Sequence, residues 1–148
     1  MIGAPFIRLP PHSQTARVGA RITLHCHVEG DPPPRISWHS NRAGRLDRRG
    51  HNYRVLDNGT LEFVSIEKDD QAGYWCKAKN LYGSVESEEA EVVVESPTEI
   101  VEYPANIHAS RGEELELQCT ATGDPAPIIS WLKNGHQVNI FSTAPSLD

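Results

Sequence analysis

The sequence predicts an all-β fold, a two-sheet sandwich followed by the front half of a second one. Three observations predict it. Apolar residues alternate with polar ones over short runs, as in Ile22, Leu24, Cys26 and Val28 against Arg21, Thr23, His25 and His27. Turn residues punctuate those runs, as in Gly30-Asp31-Pro32-Pro33-Pro34 and Asp57-Asn58-Gly59. Two cysteines fifty positions apart, Cys26 and Cys76, bracket Trp38, and Tyr74 sits two before the second; a sandwich with residues from both sheets meeting in its core explains that spacing.

Cys26, Trp38 and the stretch Asp70-Gln71-Ala72-Gly73-Tyr74-Trp75-Cys76 resemble the immunoglobulin superfamily, most closely its I-set domains. The resemblance covers residues 5–95 and then begins again. It implies an I-set immunoglobulin-like β-sandwich at 1–95 and an incomplete second immunoglobulin-like domain at 96–148. It further implies a Cys26–Cys76 disulfide across the core, Trp38 packed on that bond, and Tyr74 pinning the corner that follows Asp70. Tandem modules of this kind are similar to those of L1-, contactin- and roundabout-type adhesion proteins, and of hemicentin- and peroxidasin-like matrix proteins.

Taken in order, residues 5–18 read as an edge strand broken by Pro10-Pro11, because proline cannot donate to a ladder. Ala20 to Val28 reads as one alternating strand. Arg35 to His39 follows, with Ile36 and Trp38 inward. Residues 40–52 read as a polar, arginine-rich loop, Tyr53–Leu56 as a short strand, and Thr60–Val64 as a strand with Leu61 and Phe63 inward. Ile66 closes the bottom of the core. Gly73 to Asn80 carries the second cysteine, Tyr82-Gly83 makes a hairpin, and Ala90, Val92 and Val94 face inward on the last strand.

A shift of 93 residues then superimposes the chain on itself. Gly19, Ile22, Leu24 and Cys26 fall on Gly112, Leu115, Leu117 and Cys119, and Ile36-Ser37-Trp38 falls on Ile129-Ser130-Trp131. Glu95-Ser96-Pro97-Thr98 reads as the linker. The counterpart of Cys76 would lie beyond Asp148, so residues 96–148 read as a truncated domain in which Cys119 has no partner and Leu115, Leu117, Ile129 and Trp131 have no opposing sheet. The last residues, from Phe141, fit no strand.

Formal charge is −6 and apolar content is 38%, which suits a soluble globular chain and gives no reason to expect nucleic-acid binding. No run of eighteen apolar residues exists to span a membrane. The N-terminus has no long apolar segment of the signal-peptide kind, so export requires residues outside this sequence. A cysteine pair favours an oxidising compartment; an intracellular structural I-set module of sarcomeric type is the alternative.

The chemistry-bearing residues point to binding rather than catalysis. No nucleophile elbow or phosphate loop occurs, and no enzyme activity and no cofactor are expected. The seven histidines do not converge: His25 and His27 share an outer face, and His39 belongs to the other sheet. They read as solvated side chains with no metal site. Asn58-Gly59-Thr60 spells an N-glycosylation sequon on a turn, which reads either as a glycan site at Asn58 in an exported chain or as an Asp-Asn-Gly hairpin turn with incidental sequon spelling. Arg35, Arg42, Arg45, Arg48, Arg49 and Arg54 face one acid, Asp47, in their stretch of chain, whereas Asn80 to Ser110 holds seven glutamates and no lysine or arginine. Such blocks are commonly solvated faces; as a site, Arg42, Arg45, Arg48 and Arg49 would suit sulfated glycans or the acidic face of another copy. Strand parity sends Ser37, His39, Trp75, Lys77, Lys79, Glu89, Glu91 and Val93 outward. Trp75 is the tryptophan parity turns away from the core; it reads either as a cover for its own sheet, packed on Lys77, Val93 or the arginine loop, or as an anchor for another surface or matrix protein, homophilic or heterophilic.

Overall fold

A computed structural model describes residues 3–138. It divides into two compact units, Met1–Glu95 and Ser96–Asp148. The terminal stretch from Phe141 lies outside the described residues.

The first unit contains β1 (Phe6–Leu9), β2 (Gln14–Arg17), β3 (Ile22–Leu24), β4 (His27–Glu29), β5 (Arg35–Ser40), β6 (Gly44–Arg45), β7 (Tyr53–Val55), β8 (Leu61–Phe63), β9 (Ala72–Asn80) and β10 (Gly83–Glu86). A single 3-10 turn, Lys68–Asp70, precedes β9. Strand β11 (Ala90–Glu102) carries the chain across the unit boundary. The larger sheet of the first unit runs β6-β5-β9-β11, with β10 paired to β9 and β2 lying parallel to β11. The opposite layer comprises β3-β8-β7 and the β1-β4 pair. Pro10-Pro11 falls between β1 and β2, where the edge chain leaves one layer and joins the other.

The core lies between these layers. Leu24, Leu61, Phe63 and Ile66 meet Trp38, Val92 and Val94, and each is at most 1% exposed. Cys26 and Cys76 are bonded through the middle, with Cα atoms 6.4 Å apart. In the loop-entropy picture, a bond across fifty residues stabilises the unit by roughly 4 kcal/mol. The Trp38 Nε1–H donates to the Gly59 carbonyl at 2.8 Å, so the indole is buried without an orphan donor. Tyr74 donates its hydroxyl proton to the Asp70 carbonyl. Burial, then the nearby Asp70 carboxylate, pushes the Tyr74 phenol well above its usual range.

Three sequence expectations need correction. Ala20–Val28 is two strands, since β3 pairs with β8 whereas β4 pairs with β1 across a register irregularity, although burial still alternates through exposed His25 and buried Cys26. His27 is not simply solvated either; its Nε2 is buried without a partner among the described residues, and its ring lies edge-on to His25 at 5.3 Å. The 40–52 segment is not all loop, since β6 pairs His39 with Arg45 and Ser40 with Gly44. Glu95–Thr98, the expected linker, holds the boundary between the units and lies within β11.

In the second unit, the Ser96–Glu102 part of β11 pairs with β12 (Thr120–Asp124), and β13 (Leu132–Lys133) forms a hairpin with β14 (His136–Gln137). The repeat is visible in the backbone: Gly19 and Gly112 have φ of 91° and 88°, a conformation glycine adopts readily. Burial does not repeat. Ile22 and Leu24 are 8% and 0% exposed, but Leu115 and Leu117 are 53% and 47% exposed. Residues 113–119 form no strand, because no described segment pairs with them as β8 pairs with β3.

Candidate functional site

Register in the larger sheet of the first unit defines its two faces. Opposite pairs Ile36–Ala78, Trp38–Cys76 and Ser40–Tyr74 alternate with Arg35–Lys79, Ser37–Lys77 and His39–Trp75. The first set faces the core, so the second faces out. Trp75 lies half-buried there, its ring stacked on His39 at 5.7 Å with 14° between planes. His39 is held from its other side by Ser37, whose Oγ lies 3.0 Å from Nε2. Lys77 and Lys79 continue along β9 from this pair. Val93 is half-buried on β11, where it pairs with Thr15 of β2, two strands away from β5. Thus Trp75, His39, Lys77 and Lys79 form one surface on adjacent strands. Trp75 packs across the sheet on His39, a neighbour that the sequence places next to it only through strand register.

Beside this face lies a groove of about 1030 Å³. Pro32, Pro33 and Pro34 line it, and Ile36, Leu46, Val55 and Leu56 add apolar lining. Arg35, Arg45, Arg48, Lys77 and Lys79 line it together with His39; Asp57 is the acid among the lining residues. The expected arginine site is therefore split. Arg45 and Arg48 line the groove, whereas Arg42 turns to Asp69 at 3.8 Å and Arg49, whose backbone forms an isolated β-bridge with Arg54, is not among the lining residues. Arg35 was missed as a member of the outer face, although its parity with Ser37 and His39 was the available signal.

Arg54 serves a different structure. Glu62 is 7% exposed in β8 and accepts from Arg54 Nε at 2.8 Å and Arg21 Nη2 at 3.0 Å. The Arg54 hydrogen bond, opposed by burial and reinforced by Arg21, holds its carboxyl below the usual range. Asn58 is exposed, and its Oδ1 accepts from the Thr60 N–H at 3.0 Å. Its Nδ2 is the atom a glycan would occupy. Asp70 accepts from Asn52 Nδ2 at 2.6 Å and from the Glu67 N–H at 2.8 Å, which braces the corner before Tyr74. In the second unit Cys119 is a half-buried free thiol, and Trp131 is half-buried. Among the described residues, no three histidine, cysteine or acidic side chains gather to hold a metal, and no helix is long and apolar enough to cross a membrane.

Family models match both units: an immunoglobulin domain over residues 4–80 and an immunoglobulin I-set domain over residues 98–144. Neogenin of Rattus norvegicus is 34% identical over 128 residues, covering 86% of this chain and 9% of its own length. Hemicentin-1 of Mus musculus is 34% identical across 92% of this chain and 2% of its own, and Roundabout homolog 3 of Homo sapiens 32% identical across 92% and 10%. The chain thus spans about a tenth or less of each of these relatives. Among solved structures, an I-band fragment of titin matches with a TM-score of 0.68 at 25% identity, over 96% of this chain and half of that one. Tandem Ig repeats of Dlar match with a TM-score of 0.61 at 28% identity, over 66% of this chain and 51% of that one. With its sandwich, its cross-core disulfide and its tyrosine corner, the chain belongs to the immunoglobulin superfamily.

Proposed function

We propose that the chain is a non-enzymatic recognition module of an extracellular protein, binding other cell-surface or matrix proteins in adhesion or guidance. The observation that carries this is the Trp75–His39 stack on the outer face of β9 and β5, flanked by Lys77 and Lys79. An aromatic anchor ringed by polar and charged residues is the composition of protein-interface hot spots. Similarity to neogenin, roundabout and hemicentin supports the setting. So does the Cys26–Cys76 bond, because disulfides persist in oxidising compartments.

Trp75→Ala tests the face. As an anchor, Trp75 loses most of the affinity for a partner captured on the parent protein, while the unfolding midpoint moves little. A large loss of stability with unchanged affinity makes Trp75 a cover for its own sheet and ends its role as anchor. One observation favours a second reading, an intracellular structural module under load: the likeness to titin. Reduced Cys26 and Cys76 thiols in protein from its native source would support that reading over the first.

A further inference from the structure

The cations around the groove divide into those that already have an acid and those that do not. Arg42 pairs with Asp69, and Arg21 and Arg54 with Glu62. Among the described residues, Arg35, Arg45, Arg48 and Lys79 have no acid within ion-pair distance. All four line the same groove. Arg35 and Lys79 stand directly opposite each other on β5 and β9, an arrangement of like charges that costs stability in a sheet. Lys77 stands opposite Glu86 on β10 without forming an ion pair, and Asp57 is the acid in the lining. In a chain of net charge −6, Arg35, Arg45, Arg48, Lys77 and Lys79 thus put unpaired positive charge into one concave place, while Arg17 and Arg49 lie outside it.

We infer that this groove binds a sulfated polysaccharide of the glycosaminoglycan class, through Arg35, Arg45, Arg48 and Lys79. Three of the four are arginines, whose planar forks bind oxyanions bidentately. The cations come from three neighbouring strands and the segment after them: Arg35 and Lys79 stand opposite each other on β5 and β9, Arg45 on β6 stands opposite His39, Arg48 follows it, and Ile36, Leu46, Val55 and Leu56 add apolar lining. A sulfated sugar chain carries anionic groups along its length and suits cations spread over such a lining. An acidic peptide suits them less. Its side chains alternate in direction when extended, and the lane beside β5 is already taken up by β6 and by the Leu46 N–H, which donates to the Trp38 carbonyl. The assigned residues differ from the contiguous loop Arg42, Arg45, Arg48 and Arg49: two members leave, and Arg35 and Lys79 join from the sheet.

The inference rests on the extracellular reading for its supply of ligand, but binding is measured on the purified chain. The probe is heparin, with affinity measured near physiological ionic strength. The parent chain binds, and R35Q/R45Q/K79Q loses about fivefold for each exposed ion pair removed, on the order of a hundredfold in all. R42Q/R49Q removes arginine charge from the same loop outside the groove and binds like the parent. All five side chains are exposed, and an unchanged circular dichroism spectrum checks folding. Equal losses in both variants would place the site in the loop at large and overturn the groove. A parent that does not bind heparin also overturns it. Displacement by poly-glutamate as readily as by heparin at equal charge assigns the groove to an acidic protein instead. Heparin binding alongside reduced native thiols keeps the groove and removes the extracellular reading, so the two fail separately.

Discussion

Gly59 sits where three requirements meet. Its φ is +94°, its carbonyl accepts from the Trp38 indole, and a Cβ there would lie 2.7 Å from the Cys26 carbonyl oxygen and 2.4 Å from Ile36 Cδ1. The isoleucine tip can move, but the backbone oxygen cannot move cheaply. Gly59→Ala is therefore expected to destabilise the first unit by about 1–3 kcal/mol in urea unfolding, the cost of a strained backbone position. The sequon remains intact, so glycosylation at Asn58 is not the cause. An unchanged midpoint would show that the turn relaxes freely. Cys76→Ala is expected to cost about 2–5 kcal/mol, as for native disulfides of small secreted domains; a midpoint unchanged under oxidising conditions would mean the bond is not formed. Glu62 gives a pH signature. Its folded pKa is depressed, so its stabilisation is present above the ordinary glutamate pKa and is lost as pH falls through the lower folded value. Glu62→Gln should lower the unfolding midpoint at pH 7, with the gap to the parent closing below about pH 4. A gap constant from pH 7 to pH 3 contradicts that linkage.

At the scale of elements, legibility followed burial. β9 and β11 were readable because each has one dry face, which forces alternation: Tyr74, Cys76 and Ala78 inward on one, and Ala90, Val92 and Val94 on the other. Ala20–Val28 was misread as one strand because a partner change, from β8 to β1, leaves no mark in local composition. The arginine block was legible as charge but not as chemistry. Which arginines are satisfied depends on Asp69 and Glu62, brought close only by folding. The second unit shows what pairing contributes. Leu115 and Leu117 repeat the pattern of Ile22 and Leu24, yet residues 113–119 form no strand and both leucines are exposed. Amide exchange there should be fast, near the fraying limit, while β3 and β9 exchange slowly. Slow exchange across 113–119 in a monomer contradicts this description.

For the molecule as a whole, the superfamily follows from matched patterns in both units, but the partner does not, because recognition depends on surface residues that the fold leaves free to vary. The extracellular setting is the central claim, since it is what would bring surface proteins to the Trp75 face and sulfated glycans to the groove. It is tested most directly by the intact, non-reduced mass of the protein isolated from its native source, with peptide mapping. An exported module is two hydrogens lighter than its reduced form through the Cys26–Cys76 bond, and it carries a glycan at Asn58. Free thiols at Cys26 and Cys76 together with a bare Asn58 would contradict it.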